Sequence, residues 1–257
     1  MDLGLTGRTA VVCASTSGLG AATASALGRE GANVIVNGRN ADQARKLASE
    51  LPSARGVPVD ITAPDGPESL ISAAVSAFGQ VDVLVLNGPG PQPSLAADVT
   101  GDDAAAAIDL LVRRHVTLVQ LVLPAMRQRG WGRILAIGSS GVAAPLPHLA
   151  LSNLGRAALA GYLKTLAGEV ATDGVTVNML LPGNIATARL SALDTMAAKM
   201  SGHSLDDVQA AAQRQIPAGR YGRPEEFGAV AAFLCSDLAS YVTGTALRCD
   251  GGMVRVL

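Results

Sequence analysis

Along most of the chain, short apolar runs alternate with longer stretches of helical periodicity, and this alternation restricts the possible folds more than any other feature. The runs 8–13 (RTAVVC), 33–37 (NVIVN) and 81–86 (VDVLVL) consist mainly of apolar residues. Strands of this kind are buried on both faces, as they are in parallel sheets covered by helices. With short connections and right-handed crossovers, the pattern predicts a doubly wound parallel α/β sheet of about seven strands.

The other predicted elements continue the same alternation. Further strands are predicted over 56–59, 133–137, 175–180 and 245–249, and helices over 20–29, 41–51, 67–78, within 102–129, over 151–171 and over 224–234. Nothing in this order divides the chain, so a single domain is predicted over residues 1–257. The segment 188–217 departs from the alternation, and we expect this insertion to be a lid over a site.

Composition and charge give no indication of a macromolecular partner. Of the 257 residues, 49% are hydrophobic, and the formal net charge of −1 does not suggest binding to nucleic acid or to a membrane surface. No apolar run reaches the roughly 18 residues that span a bilayer, and the sequence begins without a signal-peptide pattern, so we expect a cytoplasmic protein. Cys13, Cys235 and Cys249 have no metal-ligand spacing, and no metal site is predicted.

A glycine-containing turn follows the first predicted strand. Its sequence is ASTSGLG over 14–20, and it leads into a predicted helix. Free backbone N–H groups at a helix N-terminus bind a pyrophosphate, and glycine permits its close approach. The turn therefore predicts a Rossmann-type dinucleotide site. The predicted contacts are Ala14, Ser15, Ser17, Gly18, Leu19 and Gly20.

The end of the second strand bears on the choice of cofactor. A carboxylate at this position would bind a ribose 2′-hydroxyl, whereas an arginine accommodates a 2′-phosphate. Here the strand is followed by Gly38 and Arg39. This pair favours NADP(H) over NAD(H), although Arg39 also fits the pattern of a solvated loop cation.

Two further strand ends belong to the same edge of the sheet. Asp60 and Ile61 end the third strand, where a carboxylate can accept a hydrogen bond from the adenine amino group. Asn87 and Gly88 begin the sequence NGPG after the fourth strand. Ligands of open parallel sheets bind at the carboxyl ends of strands, so we expect all four residues to border the same crevice.

Several motifs together resemble those of the short-chain dehydrogenase/reductase family along the whole chain. The turn 14–20 resembles TGxxxGxG, with Ala14 in place of the first glycine, and NGPG at 87–90 resembles NNAG. The sequence GRI at 132–134 leads to Ser139, at the position of the family's serine. Segments 177–178, 182–187 and 241–252 match the late family motifs, and the motifs are most similar to those of a branch like the 3-oxoacyl-carrier-protein reductases.

The resemblance implies an NADP(H)-dependent carbonyl reductase or alcohol dehydrogenase that acts on a small molecule. In the family, the PGxxxT segment contacts the nicotinamide carboxamide and the phosphates, which gives that role here to Pro182, Gly183, Ile185 and Thr187. Similar proteins pair their long helices across two-fold axes. A homo-oligomer, either a dimer or a tetramer, is therefore expected, and a monomer mass in solution would contradict it.

The resemblance fails at the residues that carry the family's chemistry. The family's catalytic tyrosine and lysine correspond to Ser152 and Arg156, and its helix asparagine corresponds to Leu111. Of the four family residues, only the serine, Ser139, is present. A serine hydroxyl is a far weaker acid than a phenol with a pKa of about 10. Arg156 keeps a positive charge that can bind ribose hydroxyls, but it cannot shuttle a proton.

Other residues near this point are candidates for a chemical role. His148 lies four residues before Ser152, and histidine can act as an acid near neutral pH, although the pattern also fits an exposed loop histidine. His115, one turn beyond Leu111, is expected to face a neighbouring helix or subunit. Ser139 could donate to a substrate carbonyl oxygen, and without an evident Asp–His partner it does not predict a hydrolytic triad.

Three hypotheses about function follow from the sequence. The first is an NADP(H)-dependent oxidoreductase with an altered proton relay, which uses Ser139, Ser152 and Arg156 together with His148 or water. The second is a redox-silent protein that binds the cofactor, such as a sensor or a structural partner of an active homologue. The third is a lyase, isomerase or cyclase that uses the same pocket without net redox chemistry.

Overall fold

Seven parallel strands form the centre of the fold. In the computed structural model, which describes residues 1–256, they are β1 (Thr9–Val12), β2 (Asn33–Asn37), β3 (Ala54–Val57), β4 (Val83–Leu86), β5 (Gly132–Ile137), β6 (Val175–Pro182) and β7 (Ala246–Cys249). Their spatial order is β3-β2-β1-β4-β5-β6-β7, and every neighbouring pair is parallel. The predicted doubly wound α/β sheet is confirmed.

Helices cover both faces of this sheet. They are α1 (Gly18–Arg29), α2 (Ala41–Ser49), α3 (Gly66–Phe78), α4 (Gly101–Ile108), α5 (Arg114–Arg129), α6 (Ala150–Val170), α7 (Ala188–Ser201), α8 (Leu205–Arg214) and α9 (Pro224–Leu234). One apolar core includes residues of α3, α5 and α6, and a second includes residues of α1, α2 and α9. Within residues 1–256, no helix is both long enough and apolar enough to cross a membrane.

The predicted elements are all present, with shifts at some of their ends. Helix α1 begins at Gly18 rather than at residue 20, and β6 continues to Pro182 rather than ending at residue 180. Strand β3 is Ala54–Val57 rather than 56–59, because its pairing with β2 begins at Ala54 opposite Val34. The apolar run alone could not fix that register.

The long helix predicted within 102–129 is interrupted by a wider turn. Helix α4 ends at Ile108, the segment Asp109–Arg113 is π-helical, and α5 follows. A π-helical turn contains an extra residue, and such turns are frequent at functional sites. The insertion 188–217 is also helical, since it forms α7 and α8.

Candidate functional site

One cavity of about 510 Å³ lies at the carboxyl ends of the central strands, where open parallel sheets bind their ligands. All the residues predicted to bind the cofactor border it, except Ser15. Those in its wall are Ala14, Ser17, Gly18, Leu19, Gly20, Arg39, Asp60, Ile61, Asn87, Gly88, Arg156, Pro182, Gly183, Ile185 and Thr187. The fold thus gathers residues from distant parts of the sequence around a single space.

Ser15 supports the first turn from the inside. Its side chain is fully buried, and its Oγ donates to the carbonyl of Val12 (2.7 Å) and accepts from the backbone N–H of Asn37 (3.0 Å). Thr16 lines the cavity instead, and a Cβ on Gly38 would lie only 2.4 Å from its Cγ2. The sequence did not single out Thr16, because side-chain directions in a turn have no periodicity.

Ala14 occupies a left-handed backbone conformation, with φ of 45°. Its N–H donates to Oδ1 of Asn37 (3.0 Å), and its carbonyl accepts from Nδ2 of Asn87 (3.1 Å). A non-glycine residue in this conformation costs roughly 1–2 kcal/mol, and surrounding contacts must hold it there. The two asparagine side chains therefore allow alanine at this position. Asn37 was not among the predicted site residues. The sequence feature that could have identified it is a polar side chain at the end of an apolar strand.

The start of α1 fits a phosphate ligand. Gly18 has φ of 57°, and a Cβ placed there would meet nothing nearer than Cγ2 of Thr187 at 3.8 Å. Behind it, a Cβ on Gly20 would lie 2.5 Å from the carbonyl oxygen of Ala14. Ser17, the N-cap, makes no side-chain capping bond within the described residues. The first-turn N–H groups thus face an open cradle of the type that accepts a pyrophosphate.

Asp60 and Arg39 lie together at the ends of β3 and β2. Oδ1 of Asp60 accepts from the hydroxyl of Thr62 (2.7 Å) and from its backbone N–H (2.9 Å), and these bonds lower the pKa of Asp60. The nearby charge of Arg39 lowers that pKa further. Asp60 is thus held as a carboxylate, while Arg39 lines the cavity with an exposed side chain.

Ser139, Ser152 and Arg156 meet at the end of β5, in the wall of the same cavity. Oγ of Ser139 accepts from the backbone N–H of Gly141 (3.1 Å), and Oγ of Ser152 accepts from Nε of Arg156 (3.3 Å). Nη1 of Arg156 donates to the carbonyls of Ile137 (2.9 Å) and Gly138 (3.1 Å). The guanidinium is therefore fixed by three acceptors, one of them the hydroxyl of Ser152.

His148 is placed differently from the other three candidate catalytic residues. It is exposed, its φ is 58°, and it is absent from the cavity wall. Its backbone carbonyl accepts from the N–H of Ser94 (2.9 Å), so the main chain rather than the imidazole makes the local contact. A role for His148 in proton transfer stays a hypothesis.

His115, which was expected to face a neighbouring helix or subunit, is buried beside the cavity. Its Nδ1 lies 2.8 Å from the carbonyl oxygen of Leu111, in the π-helical turn, and its Nε2 would be 3.8 Å from a Cβ on Gly88. Burial lowers the pKa of His115, and the positive charge of Arg156 lowers it as well. The extra residue of the π-helical turn changes which side chains of α5 point inward, and simple helical periodicity cannot anticipate this.

The ionisable residues of the cavity wall are Arg39, Asp60, Arg156 and Arg189. Burial lowers the pKa of Arg156 to about 10, and the charge of Arg189 also contributes. Within the described part of the chain, the wall contains no tyrosine, lysine, histidine or cysteine. Nor does any group of three or more His, Cys, Asp or Glu residues in 1–256 form a metal site. The cavity is thus cationic, and its wall offers no conventional acid for proton transfer at neutral pH.

Comparison with known proteins finds full-length relatives. The family model described as enoyl-(acyl carrier protein) reductase matches residues 13–254. The 3-oxoacyl-[acyl-carrier-protein] reductase FabG of Salmonella typhimurium is 34% identical over 253 residues, which cover 97% of this chain and 98% of the relative.

Solved structures show the same similarity. The L-sorbose reductase of Gluconobacter frateurii, complexed with NADPH and L-sorbose, has a TM-score of 0.94 and 31% identity, with complete coverage of both chains. A 7α-hydroxysteroid dehydrogenase, complexed with NADH and 7-oxo glycochenodeoxycholic acid, has a TM-score of 0.87 and 30% identity, with 100% of this chain and 98% of that chain covered. The two structures thus differ in the cofactor that they hold.

Proposed function

The chain belongs to the short-chain dehydrogenase/reductase family, and we propose that it is an NADP(H)-dependent carbonyl reductase or alcohol dehydrogenase with a non-standard proton relay. One observation carries this proposal: the same cavity brings together the phosphate cradle of α1, Arg39, and the group formed by Ser139, Ser152 and Arg156. The similarity to reductases, one of them complexed with NADPH, supports it.

The proposal gives each part of the cofactor a binding site in the cavity wall. The first turn of α1 would hold the pyrophosphate, Asp60 the adenine, and Arg39 the 2′-phosphate. The segment from Pro182 to Thr187 would hold the nicotinamide end, beside Arg156. Bound there, NADPH supplies a hydride for a substrate carbonyl carbon.

The protein's own residues would then act on the substrate oxygen. The hydroxyl of Ser139 is free to donate, because among the described residues its oxygen only accepts a bond, from the backbone N–H of Gly141. Ser152 is fixed by Nε of Arg156, and the permanent charge of Arg156 would stabilise negative charge that develops on the oxygen. Since arginine cannot release a proton at neutral pH, water, or His148 after a loop movement, must supply the proton.

The proposal is tested first by titrating the purified protein with NADPH and, separately, with NADH, followed by nicotinamide fluorescence. We expect micromolar binding of NADPH and at least tenfold weaker binding of NADH, because a charge-assisted contact to the 2′-phosphate is worth about 1.5–3 kcal/mol. NADPH consumption with a panel of ketones then tests turnover. Absence of binding to either nucleotide would contradict the proposal.

Gly20→Ala should weaken NADPH binding at least tenfold and destabilise the fold by about 2 kcal/mol. The added Cβ would lie 2.5 Å from the carbonyl oxygen of Ala14 and 2.8 Å from Nδ2 of Asn87, and it would force the first turn out of position. Affinity is measured by nicotinamide fluorescence and stability by urea unfolding. Gly101→Ala, where a Cβ meets nothing within 4 Å, is the control: it should leave NADPH affinity unchanged and should not destabilise the fold.

A redox-silent cofactor-binding protein is the second candidate. The observation in its favour is that no tyrosine, lysine or histidine among the described residues lines the cavity. In this case NADPH would bind, but no ketone would be reduced at a rate above the uncatalysed one. The two candidates thus share the binding result and differ in turnover.

Two further features belong to the same proposal. Leu190 and Leu193 of α7 line the cavity, which supports a lid over 188–217 within the single domain. Leu121 on α5 and Leu154 on α6 are exposed large apolar side chains, which supports a homo-oligomer that pairs these long helices. A small molecule is the substrate expected for a cavity of this size.

A further inference from the structure

Two arginines face the substrate end of the cavity without a carboxylate partner. Arg156 and Arg189 both line the wall, and within residues 1–256 neither takes part in an ion pair. Among the described residues, Asp60 is the only carboxylate of the wall, and it lies beside Arg39 at the ends of β3 and β2. The charge of Arg189 also acts on Arg156 and lowers its pKa, so the two guanidinium groups repel each other across a shared space.

The guanidinium of Arg156 keeps hydrogen-bond donors beyond those that it uses within the protein. Nε donates to Ser152, and Nη1 donates to the carbonyls of Ile137 and Gly138. All three acceptors are neutral, so none offsets the charge that burial makes costly. Nη2 has no partner among the described residues, although the side chain lines the cavity.

Arg189 comes from a different element, the first turn of α7. A Cβ on Gly90 would lie 2.8 Å from Nη2 of Arg189 and 3.2 Å from its Nη1, so the guanidinium packs directly over this glycine. Within the described residues the side chain of Arg189 donates no hydrogen bond. Arg189 is exposed, and it lies beside the segment that follows β4 with its donors available.

We propose that Arg156 and Arg189 together bind an anionic group of the substrate, so that the site acts on oxo compounds with a carboxylate or a phosphate near the carbonyl. An anion placed between them would be bound by both cations and would remove their repulsion. The cavity wall also includes the apolar side chains of Leu146, Leu149 and Leu193, which suit the carbon skeleton of such a compound. This inference rests on the proposed function.

The pyrophosphate of the cofactor is the other anion that could meet Arg189. Its proposed site at the start of α1 lies against Thr187, whose Cγ2 is 3.8 Å from a Cβ on Gly18. Arg189 lies two residues further along the chain and contacts Gly90 instead. This difference in neighbours favours the substrate, and the experiment separates the two sources.

The test is calorimetric titration of the protein saturated with NADP⁺, which prevents reduction of the probes. The probes are two matched pairs: 4-acetylbenzoate with its methyl ester, and dihydroxyacetone phosphate with dihydroxyacetone. We expect the charged member of at least one pair to bind at least tenfold more tightly than the neutral one, and Arg189→Gln to abolish that preference. Arg189→Lys should retain part of it. Arg214→Gln, a change at an exposed arginine in α8 outside the cavity, should retain all of it.

Each other outcome overturns the inference. Equal binding of charged and neutral probes to the unchanged protein, or no binding of any charged probe, would show that the pair does not select anions. A preference that survives in Arg189→Gln would place the anion elsewhere. If Arg189→Gln weakens NADP⁺ tenfold and leaves the probe preference intact, its partner is the pyrophosphate. Failure of NADP⁺ to bind at all is seen before any probe is added, and contradicts the proposed function itself.

Discussion

Arg39→Glu should reverse the cofactor preference, changing the ratio of NADPH affinity to NADH affinity by roughly a thousandfold. The substitution removes charge-assisted contacts with the 2′-phosphate, worth about 1.5–3 kcal/mol, and introduces a like charge. A glutamate at this strand end can also accept from the 2′-hydroxyl of NADH, which favours the other cofactor. Because each 1.4 kcal/mol is about tenfold in affinity, the combined effect reaches three powers of ten.

At Arg39 this substitution can change cofactor contacts without disturbing the fold. Its side chain is exposed, lines the cavity and forms no ion pair among the described residues, so the substitution disrupts no packing. Its one electrostatic neighbour in the wall is Asp60, whose pKa is lowered mainly by its hydrogen bonds to Thr62 and only in part by Arg39. Asp60 should therefore stay ionised in the variant, and its proposed contact with adenine should persist.

The two affinities are measured by nicotinamide fluorescence for the unchanged protein, Arg39→Glu and Arg39→Gln. The glutamine variant loses the attraction without gaining repulsion, and its ratio should lie between the other two. Arg55→Glu on β3 is the matched control, since it is exposed, near in sequence and outside the cavity wall. An unchanged ratio in Arg39→Glu would mean that Arg39 is a solvated loop cation with no part in cofactor selection.

The fold could be predicted because its determinants are local and repetitive. Apolar strands separated by helical patterns leave few arrangements that bury both faces of a sheet, and the observed seven-stranded doubly wound parallel sheet is the one that the pattern predicts. The residues at the carboxyl ends of strands were predictable for the same reason. Once parallel pairing is known, Asp60 and Asn87 must lie at the same edge of the sheet, however far apart they are in the chain.

What the sequence could not give were directions within turns and contacts between distant segments. Ser15 and Thr16 are adjacent, yet only Thr16 lines the cavity, because the backbone of the turn decides which side chain points inward. The inward position of His115 depends on the π-helical turn before it. The approach of Arg189 to Gly90 joins the first turn of α7 to the segment after β4, and no spacing along the chain encodes that contact.

Replacing Ser152 by Tyr together with Arg156 by Lys should raise the rate of ketone reduction by at least about a hundredfold, the usual contribution of a positioned general acid. Both side chains lie on one face of α6, since they are four residues apart and already hydrogen bonded. A tyrosine at 152 would extend into the cavity that both Ser152 and Ser139 line. A lysine at 156 would lower the pKa of that phenol through its charge, so that the phenol could donate a proton that neither Ser152 nor Arg156 can.

Rates are measured as NADPH consumption with the same ketone panel, and NADPH affinity is measured in parallel to show that the cofactor still binds. Ser152→Phe combined with Arg156→Lys is the matched control, because it adds the same bulk without a hydroxyl. If the phenylalanine variant accelerates the reaction equally, the gain comes from packing rather than from proton donation. Each single substitution shows whether the phenol or the lysine alone is sufficient.

The interpretation of a faster double variant depends on the rate of ketone reduction by the unchanged protein. A slow but measurable parent rate, raised by the double substitution, indicates that hydride donor and carbonyl are already aligned and that proton delivery limits turnover. An inert parent with an active double variant would favour the redox-silent candidate, since the cavity would then be complete except for its acid. No turnover in either protein, with NADPH bound, would contradict the reductase proposal. Since the double variant has a competent acid at position 152, the remaining explanation would be that the cavity does not align a substrate carbonyl with the hydride donor.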